Sequence, residues 1–277
     1  MQHVHISASD RRLGADLSEL WRYRDLIWLF TKRSFVVSYK QTILGPLWLI
    51  INPLLTSVMH LIVFGGIARL STDGLPQMLF YLAGNALWNF FAASVNKNAT
   101  VFTTNAQLFG KVYFPRLVMP VANVLGNAIQ FAIQLLPALA LLIYYIAVGA
   151  VSPRWALLPL LPLLLAQLGL LGTGVGIVIS SLTTKYRDLS VLVTFGVTLW
   201  MYATPVVYPL SAASGTIRTL LLINPVTAPT ELFRLALAGV GTVSAASLAW
   251  SLFCTAAVVL GGTRIFSRVE RNFIDTV

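Results

Sequence analysis

Uncharged polar side chains recur at helical spacing inside long apolar runs of this sequence, and they are its main candidates for chemistry. Asn85, Asn89 and Asn96 fall on one face of a helix. Three other runs carry similar rows, namely Asn52, Thr56 and His60; Thr194, Thr198 and Tyr202; and Asn123, Asn127, Gln130 and Gln134. Such groups bond either to neighbouring helices or to a polar solute. Helix bonding is favoured for the row at 123–134, and the other rows leave a solute route open.

Aromatic residues accompany two of these rows and would suit the rings of sugars. Trp88 and Phe91 lie beside the asparagines, and Trp200 and Tyr202 lie near the predicted outer end of their run. Aromatic residues at the ends of spans also serve as interface anchors. The candidate channel residues are Asn52, Thr56, Asn85, Trp88, Asn89, Phe91, Asn96, Thr198, Trp200 and Tyr202.

Groups for catalysis, metal binding or ion coupling are scarce within the apolar runs. His60 is the only ionisable side chain deep in a run, where it suits an interhelical hydrogen bond. Ion-driven transporters usually place ionisable groups or unwound helices at mid-membrane depth. Glu231 with Arg218 and Arg234 is the one candidate set for an enzyme at the outer face. We therefore expect neither a catalytic nor a metal site.

The elements that must position these residues are membrane spans. Of the 277 residues, 57% are hydrophobic and 10% are charged, against about 25% charged in soluble domains. A span requires about 20 apolar residues. We place six spans at about 45–68, 76–100, 117–148, 156–181, 189–207 and 242–263. The predicted fold class is an all-α polytopic membrane protein, in which the single Cys254 forms no disulfide framework.

Basic residues predict the orientation of these spans. Residues 1–42 hold seven Lys and Arg residues and no cleavable signal peptide is apparent. A cytoplasmic N-terminus puts fifteen Lys and Arg residues inside and leaves Arg69, Arg154, Arg218 and Arg234 outside. The net charge of +10 thus reflects one membrane face and does not indicate nucleic acid. We expect residues 1–42 to form an amphipathic interface helix and residues 266–277 to form a cytoplasmic tail.

The segment 208–240 is broken by prolines and glycines into apolar pieces too short to span. It predicts two short re-entrant helices in the outer leaflet, with a hairpin on the outer surface as the alternative. The glycines Gly172, Gly174 and Gly176 inside the fourth span predict close helix packing.

Asn105–Arg116, with the sequence NAQLFGKVYFPR, is a basic and aromatic segment between two spans. Its Gly110-Lys111 pair is not a phosphate loop, because Asn105 replaces the first glycine and Val112 replaces the Ser or Thr. We interpret this segment, within a coupling loop at 103–116, as the site where another protein binds and transmits movement to this one.

Three motifs carry a family resemblance over nearly the whole chain: YKQTILGPLW within Arg33–Pro53, KVYFPR at 111–116, and TKYRDL at 184–189. The chain resembles the permease subunits of polysaccharide ABC exporters, which are type-2 ABC permeases. It looks most similar to the O-antigen branch, although teichoic acid permeases share two of the motifs.

The resemblance implies a homodimer with two copies of a separate ATPase that binds ATP and Mg, while this chain binds no cofactor. It implies a bacterial inner-membrane location, with membrane lipid and a lipid-linked polysaccharide as further partners. It also implies that spans one, two and five line the channel. The implied coupling residues are Asn105, Gln107, Phe109, Lys111, Tyr113, Phe114, Arg116, Lys185, Arg187 and Asp188.

Two other functions remain open at this stage. An ABC exporter of a small lipid or drug would have a mainly apolar lateral cleft. A membrane enzyme, such as a glycan polymerase or ligase, would need the outer charged set described above.

Overall fold

A computed structural model describes residues 20–40, 43–112, 114–183 and 188–274. This part of the chain is helical, with no strand. The α-helices are α1 Arg24–Tyr39, α2 Trp48–His60, α3 Gln77–Ala99, α4 Val101–Thr104, α5 Ala106–Phe109, α6 Val118–Ala147, α7 Leu161–Thr183, α8 Leu189–Tyr202, α9 Gly215–Ile223, α10 Thr227–Ala238 and α11 Ala245–Ile274. The predicted all-helical class is confirmed.

Five helical stretches are long and apolar enough to cross a membrane: Gly45–Ile67, Gln77–Ala99, Val118–Ala147, Trp155–Thr183 and Ala245–Ile265. The first includes α2 and a π-helical stretch, and the fourth adds a 3-10 helix before α7. The pair of α9 and α10, bent by 93°, would make a sixth span if counted as one. In the predicted fifth span, α8 has 14 residues, or about 21 Å at the α-helical rise. It is therefore shorter than the other five.

The central element is α3, which is surrounded by α2, α6, α7 and α8. Its closest neighbour is α7, where glycines replace side chains at the contact. A Cβ at Gly172 would lie 2.9 Å from Ser94 Cβ, and a Cβ at Gly176 would lie 2.7 Å from the carbonyl oxygen of Val95. Gly174 instead faces α11. The predicted role of these glycines in close packing is confirmed.

Helix α1 packs on α6 through one face and leaves another face uncovered. Ile27, Phe30 and Thr31 are buried, and the Thr31 hydroxyl bonds to the carbonyl oxygen of Ala122 at 3.3 Å. Trp21 and Trp28 are 72% and 61% exposed. The helix, with the turn before it, thus presents one apolar face to α6 and leaves another apolar face uncovered.

The two ends of the helix assembly differ in content. We call the end that carries α4, α5 and Asn105–Arg116 the inner end, and the opposite end the outer end. The outer end contains the loops after α2, α6 and α8 together with α9 and α10. Arg154 at this end bonds through its backbone N–H to the carbonyl oxygen of Ala236.

Candidate coupling surface and polar groove

The segment Asn105–Arg116 is folded onto the inner end by its own aromatic residues. The ring of Phe109 lies 5.6 Å from that of Phe114 and 6.1 Å from that of Phe102. The Arg116 guanidinium carbon lies 5.5 Å from the centre of the Phe109 ring, a cation–π distance. The Asn105 side chain donates to the carbonyl oxygen of Val101 at 2.9 Å and thereby ends α4. These contacts fix the position of the segment.

The predicted coupling residues divide into buried and exposed groups. Phe114 is 5% exposed and Arg116 is 9% exposed, so neither presents a surface to another protein. Their predicted direct contact with a partner is corrected, because both side chains are packed against Phe109 within the protein. Gln107 and Lys111 are exposed, and so is Val112 at 53%.

We call Gln107, Lys111 and Val112 the coupling surface. Val112 is not among the coupling residues predicted from sequence. An apolar residue beside a lysine in a short loop could have indicated an exposed contact. Asp188 is also exposed and immediately precedes α8, where its carbonyl oxygen accepts the N–H of Val191. The candidate residues Tyr113, Lys185 and Arg187 lie outside the described residues.

Uncharged polar side chains form a groove along α2, α3 and α6. Asn89 donates to the side-chain oxygen of Gln134 at 3.3 Å, which links α3 to α6. Cavities of about 300 and 250 Å³ lie on either side of this bond and share both of its residues. We call this feature the polar groove and define it by Asn52, Thr56, Asn89, Asn96, Gln130 and Gln134. Its described lining has no charged side chain.

The structure removes three predicted channel residues from the groove. Asn85 is 2% exposed and donates to the hydroxyl of Ser57 at 2.8 Å, so it joins α3 to α2. Trp88 and Phe91 are 5% and 0% exposed, and Phe91 meets the ring of Trp200 edge-on at 5.2 Å. These three are corrected to core residues, because helix contacts cover their side of α3.

The other predicted channel residues on α3 and α8 differ in their surroundings. Trp200 is half-buried, packs on Phe91, and its indole N–H bonds to the Asn224 side chain at 3.1 Å, which makes it a structural residue. Thr198 and Tyr202 are exposed on α8. The Asn96 side-chain oxygen is buried without a hydrogen-bond partner among the described residues. The helix bonding predicted for the row at 123–134 is confirmed, because Asn123, Asn127 and Gln134 all bond to side chains of α3. Gln130 and Gln134 also line the groove.

A basic cleft opens at the inner end of the groove. Its volume is about 630 Å³ and its lining includes Arg33 of α1, Lys97 of α3 and Lys111. The Lys97 ammonium donates to the Asn127 side-chain oxygen at 2.7 Å. Gln130 belongs to the lining of both the cleft and the groove. The cleft and the groove therefore adjoin at Gln130.

The charged set at the outer end is engaged within the protein. Glu231 is 1% exposed and Arg234 is 3% exposed, and their side chains pair at 3.0 Å. Arg218 lies apart from them on the exposed helix α9. Nearby, the Tyr208 hydroxyl donates to the carbonyl oxygen of Tyr202 at 2.8 Å, and burial raises the pKa of this phenol above its usual value. The Glu231 carboxylate has no open face for a substrate.

The long apolar helices of the described residues define a multi-pass membrane protein. A sequence profile described as ABC-2 type transporter matches residues 25–238. The chain therefore belongs to the ABC-2 type transporter family.

Three relatives carry the name O-antigen export system permease protein RfbA. One from Klebsiella pneumoniae is 30% identical over 184 residues, which cover 66% of this chain and 69% of the relative. A second from Klebsiella pneumoniae is 26% identical over 251 residues, covering 91% and 94%. One from Myxococcus xanthus is 31% identical over 211 residues, covering 75% and 78%.

Proposed function

We propose that this chain is the membrane-spanning subunit of an ATP-driven exporter that moves a lipid-linked polysaccharide, of the O-antigen class, out of the cytoplasm. The observation that carries the proposal is the uncharged polar groove in a chain whose relatives are named as O-antigen export permeases. Amide and hydroxyl groups suit a neutral polyhydroxylated chain, because they exchange hydrogen bonds with sugar hydroxyls without holding an ion.

A second copy of this chain would complete the path. Asn52 and Thr56 on α2 and Thr198 and Tyr202 on α8 are exposed although both helices are apolar. Polar groups within a membrane usually face the protein interior or a water-filled cavity. A homodimer that brings these faces together would enclose a polar channel. Each protomer would contribute its own groove to the wall.

The energy would come from a separate ATPase chain, with ATP and Mg bound there. Two ATPase copies would engage two coupling surfaces, one on each permease subunit. Gln107, Lys111 and Val112 offer an amide, a positive charge and an apolar contact at the inner end. Phe114 and Arg116 would transmit the push, because both pack on Phe109, which lies between Gln107 and Lys111 in the chain.

Helix α3 is suited to carry this movement across the membrane. It has 23 residues, or about 35 Å at the α-helical rise, and α4 follows it after the single residue Thr100. The groove residues Asn89 and Asn96 lie on the same helix. A displacement of the coupling surface would therefore move one wall of the path.

The inner end would face the cytoplasm of a bacterium, with both termini on that side of the inner membrane. The basic cleft and the coupling surface place Arg33, Lys97 and Lys111 at this end, as the preference for positive charge inside requires. Helix α1 would lie in the headgroup layer. Its exposed Trp28, and Trp21 just before the helix, would contact lipid while Phe30 holds the helix on α6.

The proposal is tested by deleting the gene and locating the glycan. Loss of the exporter should leave lipid-linked polysaccharide on the inner face of the membrane and remove it from the cell surface. Purified permease and ATPase in proteoliposomes should then move that glycan only with ATP and Mg. Normal surface glycan in the deletion strain, or accumulation of a different lipid species, would exclude this function.

A further inference from the structure

A buried ion pair lies at the outer end, on α10, away from the polar groove. The Arg234 Nη1 atom lies 3.0 Å from the Glu231 Oε1 atom, and both side chains are almost fully buried. Burial takes both ions out of water, so the other hydrogen-bonding positions of the pair need partners from the protein. The Arg234 Nε atom has none among the described residues. The partners of the other positions indicate what the pair holds together.

The Glu231 carboxylate joins two loops to α10. Its Oε1 atom accepts the backbone N–H of Leu210 at 3.3 Å, and Leu210 lies in the loop after α8. Its Oε2 atom accepts the backbone N–H of Thr242 at 3.0 Å, and Thr242 lies just before α11. One side chain thus bonds to the backbone before α9 and after α10.

The Arg234 guanidinium extends this connection to α3. Its Nη2 atom donates to the carbonyl oxygen of Val206 at 2.8 Å. Its central carbon lies 3.9 Å from the centre of the Phe80 ring, in the first turn of α3. Gly84 keeps this approach open, because a Cβ there would come within 3.0 Å of the Val206 oxygen. The pair therefore joins α10 and two loops to the outer end of the central helix.

The two halves of the broken segment differ in their attachment. Helix α10 is buried along nearly its whole length, whereas Ile217 and Leu220 of α9 are 64% and 63% exposed. At the bend between them, the Asn224 side chain donates to the carbonyl oxygen of Ala203 at 2.8 Å. Helix α10 is the fixed half of the segment.

We propose that Glu231 and Arg234 are positioning residues for export. They form a polarity-specific anchor that holds α10 and the loops at Val206–Leu210 and Thr242 against α3, and so maintain the outer rim of the transport path. This inference rests on the proposed export function. The anchor acts through the placement of these loops and does not touch the glycan.

The direction of the hydrogen bonds makes the anchor distinguishable from a simple ion pair. The position of Glu231 must accept from two backbone N–H groups, and the position of Arg234 must donate to a carbonyl oxygen. Exchanging the residues in E231R/R234E restores both charges but places donors against N–H groups and acceptors against a carbonyl. A pair that contributes charge alone would tolerate this exchange, and the anchor does not.

The test uses the complete exporter in cells that lack the native gene, with V207C as a reporter in a C254S background. Val207 is 1% exposed in the anchored loop, so a membrane-impermeant maleimide should label the parent slowly. E231Q and E231R/R234E should raise the labelling rate at least about tenfold and lower surface glycan, because losing the matched partner of a buried charge favours local opening. Labelling is normalised to the amount of permease in the membrane.

R218Q on exposed α9 is the matched control for removing an arginine, and it should label and export like the parent. R234K retains the positive charge and replaces E231Q in the test if E231Q does not accumulate in the membrane. R234K should also be labelled faster than the parent, since one ammonium cannot replace both guanidinium bonds. Parental labelling in E231Q or R234K, or parental export in the exchanged pair, would overturn the anchor. Failure of the reporter parent to export lipid-linked glycan would instead count against the proposed function.

Discussion

The rings of Phe30 and Phe114 lie 5.6 Å apart, and this contact ties α1 to the segment that carries the coupling surface. Phe30 is 7% exposed and Phe114 is 5% exposed. The contact belongs to a cluster with Phe102 of α4, Val118 at the start of α6 and Ile177 in the last two turns of α7. A helix suited to the membrane surface and a segment suited to a soluble partner thus share one small core.

This core makes Phe114 a stability residue. We expect Phe114→Ala to lower the free energy of unfolding by about 3–5 kcal/mol, as is typical for a buried Phe→Ala change, and to reduce the amount of permease in the membrane. Phe114→Leu should lose much less, because it retains most of the apolar volume. Thermal unfolding in detergent measures both changes. A stable Phe114→Ala protein that no longer binds the ATPase would show that the ring contacts the partner directly.

The exposed coupling surface should behave in the opposite way. Lys111→Glu and Val112→Asp change side chains that have little protein contact, so membrane abundance and unfolding temperature should stay at parental values. Binding of the ATPase in a pull-down, and export with it, should fall, because a reversed charge or a buried carboxylate disfavours the interface. Arg218→Glu is the matched control, since it reverses an exposed charge at the outer end. Parental ATPase binding by both variants would remove this surface from the interface.

The general fold was accessible from sequence because lipid imposes simple requirements. Long charge-free runs had to be helices, since backbone groups in a membrane must bond within their own segment. The glycines of α7 also indicate close packing from sequence, because a helix with no side chain at these positions can approach its neighbour. At Gly176 there is no room for a Cβ atom. Such properties depend on a few adjacent residues.

The site was less accessible, because its assignment depends on which neighbour covers each face. Asn85 and Asn89 lie one turn apart on α3, yet Asn85 is hydrogen-bonded to Ser57 and Asn89 lines the groove. Helix α3 is covered on most sides, so its aromatic residues are buried among neighbouring helices. The sequence does not show which side of the helix is covered. The sequence predicts Glu231 and Arg234 as charge at the outer face, whereas in the structure both are buried and bonded to backbone groups of neighbouring loops.

The polar groove can be tested with two matched glutamines. Gln134 lies in the groove, and Gln167 bonds to the Ser251 hydroxyl at 2.7 Å between α7 and α11. Each change to Leu removes one helix-to-helix bond, worth about 0.6 kcal/mol on average, so stability should fall little in both. Gln134→Leu should slow glycan export in proteoliposomes while ATPase binding persists, and Gln167→Leu should not. Equal export by the two variants would exclude Gln134 from the path.

Close contact between α3 and α7 should set a limit on substitution in the central helix pair. A Cβ at Gly176 would lie 2.7 Å from both the Val95 oxygen and the Asn98 Cβ, and backbone cannot move aside as a flexible side chain can. We expect Gly176→Ala to lower stability by about 1–3 kcal/mol, the usual cost of overpacking. Gly261→Ala in α11 meets no heavy atom within 4 Å and should be neutral or stabilising, because alanine is the better helix former. Comparing the unfolding temperatures of the two variants checks the packing directly. An unaffected Gly176→Ala protein would mean that α3 and α7 lie further apart than the 2.7 Å contacts require.

Because α3 also carries Asn89 and Asn96, a destabilised Gly176→Ala permease that still inserts should export less glycan than Gly261→Ala.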